Sequence, residues 1–251
     1  MGASPHHPRL QDRALEYFRI EKGEFEPTLL LSLYLLLVMA TIVCLKAVSD
    51  SVFLSTFDAT RLPFVDLPVT VLVGIVVSLY LRLSNRLGLP STIKLTQAFV
   101  ALNLFVFWLL LRFQLPATPA LIYIWVGVFA VLLPSQVWSL SGLAFDTRQA
   151  KRLFSLIGSG GILGAALGGN VAGFIGPLWG TDSVLIVTTG FVIACGAIVS
   201  RLTGLSKPTA APSTASGAGK ASIMDSVRLV SGNRYLLLIT LAIFFSTIPS
   251  T

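Results

Sequence analysis

The chain has 251 residues, of which 54% are hydrophobic and only 12% charged, and its mean hydropathy is +0.83. No ordinary water-soluble domain of this size needs so much apolar surface for its core, so the composition points to an integral membrane protein. The net charge of +7 would suit a nucleic-acid surface as well, but the positions of the cations, given below, make it an orientation signal and leave no call for nucleic acid.

Residues 1–26 are polar and carry charges of both signs where the apolar region of a cleavable signal peptide would lie. Leu10, Ala14, Tyr17 and Phe18 share one helical face, which fits an amphipathic helix over residues 8–22, either lying on the membrane surface or simply solvated. His6 and His7 are adjacent and without partners, and read as surface residues.

Six unbroken apolar runs follow, each long enough for a helix that crosses about 30 Å of hydrocarbon. They cover roughly 27–48, 63–81, 93–111, 119–140, 154–178 and 183–200. Long runs rather than ten-residue alternation favour helices over a barrel. Arg82, Arg86 and Lys94 lie between the second and third runs, and Arg148, Lys151 and Arg152 between the fourth and fifth. Arg201, Lys207, Lys220, Arg228 and Arg234 follow the sixth, whereas the alternate connections hold only Arg61 and Arg112. This asymmetry predicts a cytoplasmic N-terminus.

Residues 203–222, rich in Ala, Ser, Gly and Pro, read as a flexible cytoplasmic linker. Residues 223–251 begin with an apolar stripe of Ile223, Val227 and Val230 and open a seventh span near Tyr235 that is still apolar at Phe244 and Phe245. The expected organisation is a surface segment (1–26), an all-α six-helix transmembrane bundle (27–202), the linker, and the start of a seventh helix of a longer protein.

Several polar residues stand out against this background. Lys46 and Asp50 are four apart in "CLKAVSD" and share a helical face. At membrane depth such a pair faces a bundle interior or a water-filled cavity; alternatively the span ends near Leu45 and Lys46 snorkels to the interface. Asn103, Gln136 and Asn170 lie within spans and either line a pathway or bond between helices. Asp146 precedes a helix starting near Thr147 and suits its N-cap. Arg148, Lys151 and Arg152 beside it either draw an anionic solute to a cytoplasmic mouth or serve orientation and lipid headgroups. Trp108, Trp125, Trp138 and Trp179 fall mostly near span ends, as interfacial anchors do.

The fifth run contains "GSGGILGAALGGNVAGFIGP". A phosphate-cradling glycine loop would follow a strand, and none precedes this one. Gly160, Gly164, Gly168, Ala172 and Gly176 recur every fourth residue, with Gly161, Ala165, Gly169 and Gly173 one place on. Two such rows predict a smooth helix face for close packing. Cys44 and Cys195 sit in separate spans, and no catalytic set or metal cluster is visible, so neither an enzyme nor a cofactor is expected.

Two stretches, "LKAVSDSVFLSTFDATRLPF" (45–64) and "WSLSGLAFDTRQAKRLFSLIGSGG" (138–161), resemble the ATP/ADP-translocase-like, or nucleotide transporter, branch of the major facilitator superfamily. The element QAKRLF, 149–154, is the more specific part of the match. The resemblance implies the N-terminal half of a twelve-helix transporter in the bacterial inner membrane, working by alternating access, with the C-terminal half of the same protein as its partner. In such a transporter Lys46 is expected to be either an anion contact or the switchable partner of Asp50, and Asp50 a gate or a proton-coupled acid. Ser49, Gly142 and Leu143 stand where nucleotide exchangers carry a second cation and an Asn/acid pair, so the expected solute is an organic anion, with nucleotides as one member of that class. The alternative function is a transporter-derived membrane anchor or sensor that does not itself transport.

Overall fold

The computed structural model describes residues 24–58, 60, 62–113, 115–205 and 237–238. Six helices follow one another: α1 (Phe25–Leu54), α2 (Leu62–Leu87), α3 (Leu89–Arg112), α4 (Thr118–Ala144), α5 (Thr147–Trp179) and α6 (Thr181–Leu205). All six are long and apolar enough to cross a membrane, and no strand occurs among the described residues. The chain is therefore an all-α integral membrane protein.

Each helix outruns the apolar run that announces it. α1 continues past Val48 to Leu54, α2 past Leu81 to Leu87, and α5 starts at Thr147 rather than Phe154. Polar residues at the ends keep helical hydrogen bonding after hydropathy has faded, because the backbone ladder needs no apolar side chain to continue. The chain divides into Met1–Lys207 and Pro208–Thr251; in the second unit Leu237 and Leu238 are helical and exposed. The expected surface helix (8–22), the linker beyond Leu205, and all of the seventh span except Leu237 and Leu238 lie outside the described residues, as do Arg61, Lys207, Lys220, Arg228 and Arg234.

Two connections are reduced almost to a single glycine. Gly88 (φ 80°, ψ 151°) separates α2 from α3, and Gly180 (φ 87°, ψ 158°) separates α5 from α6. That region of backbone space is essentially open only to glycine, and it lets the chain reverse without a longer loop.

α1 is the hub. It packs against α4, α5 and α6, while α3 packs against α6 and α2 against α4. Its buried residues, among them Leu31, Tyr34, Leu35, Val38, Cys44, Leu45 and Val48, run around most of the helix. The α1–α5 contact is the most extensive in the bundle, and its cause is the glycine row. Gly160, Gly164 and Gly168 lie over the backbone of Ser32, Leu36 and Ala40, each glycine 128 positions after its neighbour. A Cβ at Gly168 would stand 2.6 Å from the Ala40 carbonyl oxygen. The constant offset means that α1 and α5 run parallel. Ser32 donates to the Leu156 carbonyl (3.3 Å) and Cys44 Sγ to the Gly168 carbonyl (3.2 Å), which helps to hold that register.

α2 is attached differently. Phe64, Leu67, Val71, Ile75 and Leu79 are all exposed, the surface of a helix that meets lipid or a further segment. Gly127 of α4 admits Val69 of α2 to 2.6 Å from where its Cβ would be.

Candidate functional site

Among the described residues, three polar groups join helices at positions the sequence singles out, two toward the ends of the bundle and one between; apart from them, Arg112 of α3 pairs with Asp182 of α6 at 3.8 Å. The first is built on the last turns of α1. Because α1 remains helical to Leu54, Lys46 and Asp50 face the same way, and Lys46 Nζ lies 3.5 Å from Asp50 Oδ1. Both side chains are about half exposed, at 50% and 44%. At 1.5 Å per residue from the helix midpoint, Lys46 stands about 10 Å out and Asp50 about 16 Å, against a hydrocarbon half-thickness of about 15 Å.

Two residues from other helices complete the group. Lys46 Nζ stands 4.6 Å from the centroid of the Tyr123 ring on α4, within cation–π range. The Tyr123 hydroxyl in turn donates to Asp66 Oδ1 of α2 at 3.2 Å. Phe53 of α1 packs against Tyr123, with ring centroids 5.1 Å apart. The cluster thus joins α1, α2 and α4 and carries one cation and two carboxylates. Neither Asp66 nor Tyr123 stands out in the sequence. The available signal is an acid one turn inside an otherwise apolar span, where a charge needs a partner.

The second group is neutral and buried. Gln97 Nε2 of α3 donates to the Tyr34 hydroxyl of α1 at 3.0 Å and, more weakly, to Gln136 Oε1 of α4 at 3.4 Å. The three side chains belong to residues at most 3% exposed. Of the expected polar residues only Gln136 belongs here; Tyr34 and Gln97 are additions from the structure.

The third group lies where α1 and α5 begin. Glu24, buried just before α1, receives Gln149 Nε2 at 2.7 Å and pairs with the Arg152 guanidinium. Asp146 N-caps α5 in a capping box, its backbone N–H donating to Gln149 Oε1 at 2.9 Å. Gln149 therefore serves the cap and Glu24 together. Arg148 and Lys151 are exposed, whereas Arg152 is half-buried and engaged by Glu24.

The remaining expected residues do not join these groups. Asn103 Nδ2 donates to the Phe99 carbonyl (2.9 Å) and Asn170 Nδ2 to the Ala166 carbonyl (2.8 Å), each within its own helix. Asn170 borders an open groove of about 280 Å³ on α5, lined also by Ala165, Ala166, Gly169, Gly173 and Phe174. That groove follows the second small-residue row: Gly161, at the head of the row, meets Leu35, but nothing lies within 4 Å of a Cβ at Gly169 or Gly173. Among the described residues no group of His, Cys, Asp and Glu is arranged to hold a metal ion. No protein-family model, curated protein or solved structure matches the chain. The site has to be read from its own chemistry.

Proposed function

We propose that the six helices are one half of a secondary transporter that carries a small organic anion, nucleotides included, across the membrane by alternating access. The observation that supports this most is the Lys46–Asp50 pair, half exposed on the last turns of the hub helix, with Lys46 within the hydrocarbon depth and Asp50 at its edge. A charge pair placed there costs stability unless it meets water or a charged solute. With Asp50 at 3.5 Å and Asp66 linked through Tyr123, Lys46 is already compensated, so an anion gains access only when Asp50 releases it. Protonation of Asp50 does this, which makes proton–anion symport the transport mode in this proposal. In this reading the Glu24–Arg152 end faces the cytoplasm, which the distribution of cations favours, the membrane is a bacterial inner membrane as the resemblance implies, and a second six-helix unit is the partner that closes the solute path. No catalytic step and no cofactor enter the proposal.

The test is uptake of labelled nucleotides and organic acids into liposomes holding the full-length protein, with and without an inward proton gradient. The expected result is gradient-stimulated uptake of at least one anion, lost in Lys46→Ala while the protein still folds. No uptake across a broad anion panel overturns the reading, and normal flux in Lys46→Ala removes Lys46 from the site.

A further inference from the structure

The neutral group has more hydrogen-bonding capacity than its members use. Tyr34, Gln97 and Gln136 come from three helices and meet in the packed interior, about 5 to 8 Å from the helix midpoints on the side opposite Lys46. Gln97 Oε1 and Gln136 Nε2, both buried, have no hydrogen-bond partner. Interchanging oxygen and nitrogen in both amides swaps their roles and still leaves one donor and one acceptor open, so the imbalance does not depend on how the amides are oriented. The Tyr80 hydroxyl of α2 is also buried and unpartnered. Among the described residues no charged side chain contributes to the layer's hydrogen bonds, and a buried ion that is not paired is costly.

We propose that this layer is a binding site for one neutral hydrogen-bonding group, which accepts from one glutamine and donates to the other. The group is water, or the hydroxyl or amide of a small solute. An open donor and an open acceptor on two amides that already touch each other in a packed interior match a neutral group of that kind better than an ion. The site is separate from the Lys46 cluster, and its existence does not depend on transport.

Millisecond X-ray radiolytic footprinting of the full chain in nanodiscs tests this, because hydroxyl radicals formed from a bound water modify the side chains beside it. Tyr34 is wholly buried, as are Phe129 and Phe107, which serve as dry references. Normalised to the unfolded chain, Tyr34 is expected to be modified faster than Phe129. In the Gln97→Leu/Gln136→Leu variant, checked for folding by circular dichroism, the rate falls to that of Phe129. Wild-type Tyr34 at the Phe129 rate overturns the proposal, and this arm needs no variant. A folded double variant labelled like wild type overturns it too. Acetamide is then added to wild type: protection of Tyr34 assigns the site to a solute amide, and unchanged labelling assigns it to water.

Discussion

The α1–α5 contact offers a test with a built-in control, because Gly168 and Gly169 are adjacent on one helix and face opposite circumstances. A Cβ on Gly168 would stand 2.6 Å from the Ala40 carbonyl oxygen and 2.8 Å from the Ala40 Cα, both backbone atoms of a helix interior. Comfortable contact needs about 3.5 Å, so the two helices must part by on the order of 1 Å, and no side-chain rotation can absorb it. Overpacking of this kind costs about 1–3 kcal/mol. A Cβ on Gly169 meets nothing within 4 Å. Alanine raises helix propensity by up to about 1 kcal/mol at either position, so the propensity gain cancels when the two variants are compared.

Gly168→Ala is therefore expected to unfold about 1–3 kcal/mol more easily than Gly169→Ala, with Gly169→Ala at or slightly above wild type. The measurement is equilibrium unfolding of detergent-solubilised protein in rising SDS fraction, followed by circular dichroism. Equal stability of the two variants, or a larger loss in Gly169→Ala, refutes the claim that one row packs and the other is open. Gly127→Ala extends the comparison: its Cβ also falls 2.6 Å from a neighbour, but that neighbour is the Val69 side chain, which can turn aside, so a smaller loss is expected.

Other consequences follow from the three polar groups. Lys46→Ala should leave stability within about 1 kcal/mol of wild type, since a half-exposed i,i+4 pair contributes only a few tenths, while abolishing uptake; a large stability loss would mean that the pair is structural. Gln97→Leu strips Tyr34 and Gln136 of their shared partner and should destabilise by about 1–3 kcal/mol, read by the same SDS titration. Arg152→Ala leaves the buried Glu24 carboxylate without its guanidinium partner and should cost more than Arg148→Ala, whose side chain is exposed; adding Glu24→Gln should restore part of the loss. If Asp50 gates Lys46, uptake by wild type should rise as the outside is acidified, and Asp50→Asn should be active but insensitive to the gradient; an unchanged pH profile in that variant argues against Asp50 as the coupling acid.

What the sequence discloses here is largely what periodicity and hydropathy can carry. The six apolar runs locate the helices, and the four-residue recurrence of Gly160, Gly164 and Gly168 announces a close contact without saying which helix makes it. The partner row Ser32–Leu36–Ala40 contains a leucine, because only the backbone of Leu36 has to be smooth where Gly164 crosses it, and that is invisible to a search for small residues. The end of the row is also misleading: Gly176 continues the spacing but has no neighbour, since spacing describes a face and not how far the other helix extends. Gln97 and Tyr34 pass unnoticed for a different reason. A single Gln or Tyr in a span is unremarkable, and only the three-dimensional coincidence of α1, α3 and α4 at one level makes a group of them with Gln136.

The placement of these groups follows from what each costs in a membrane interior. A neutral amide or phenol is tolerated in a packed core if most of its hydrogen bonds are made, so Tyr34, Gln97 and Gln136 sit buried where their side chains reach one another from α1, α3 and α4. Full charges need water or a counter-ion, and packing around them excludes water. Lys46, Asp50 and Asp66 accordingly stand half exposed or exposed, at the side of α2, whose Phe64, Leu67, Val71, Ile75 and Leu79 are also exposed. The Tyr123 hydroxyl links α2 to this cluster, while the glycine row fuses α1 to α5 through backbone contact. Loss of the Asp66–Tyr123 bond therefore disturbs α2 and the charges beside it, and leaves the α1–α5 register, fixed by Ser32, Leu36 and Ala40, where it was.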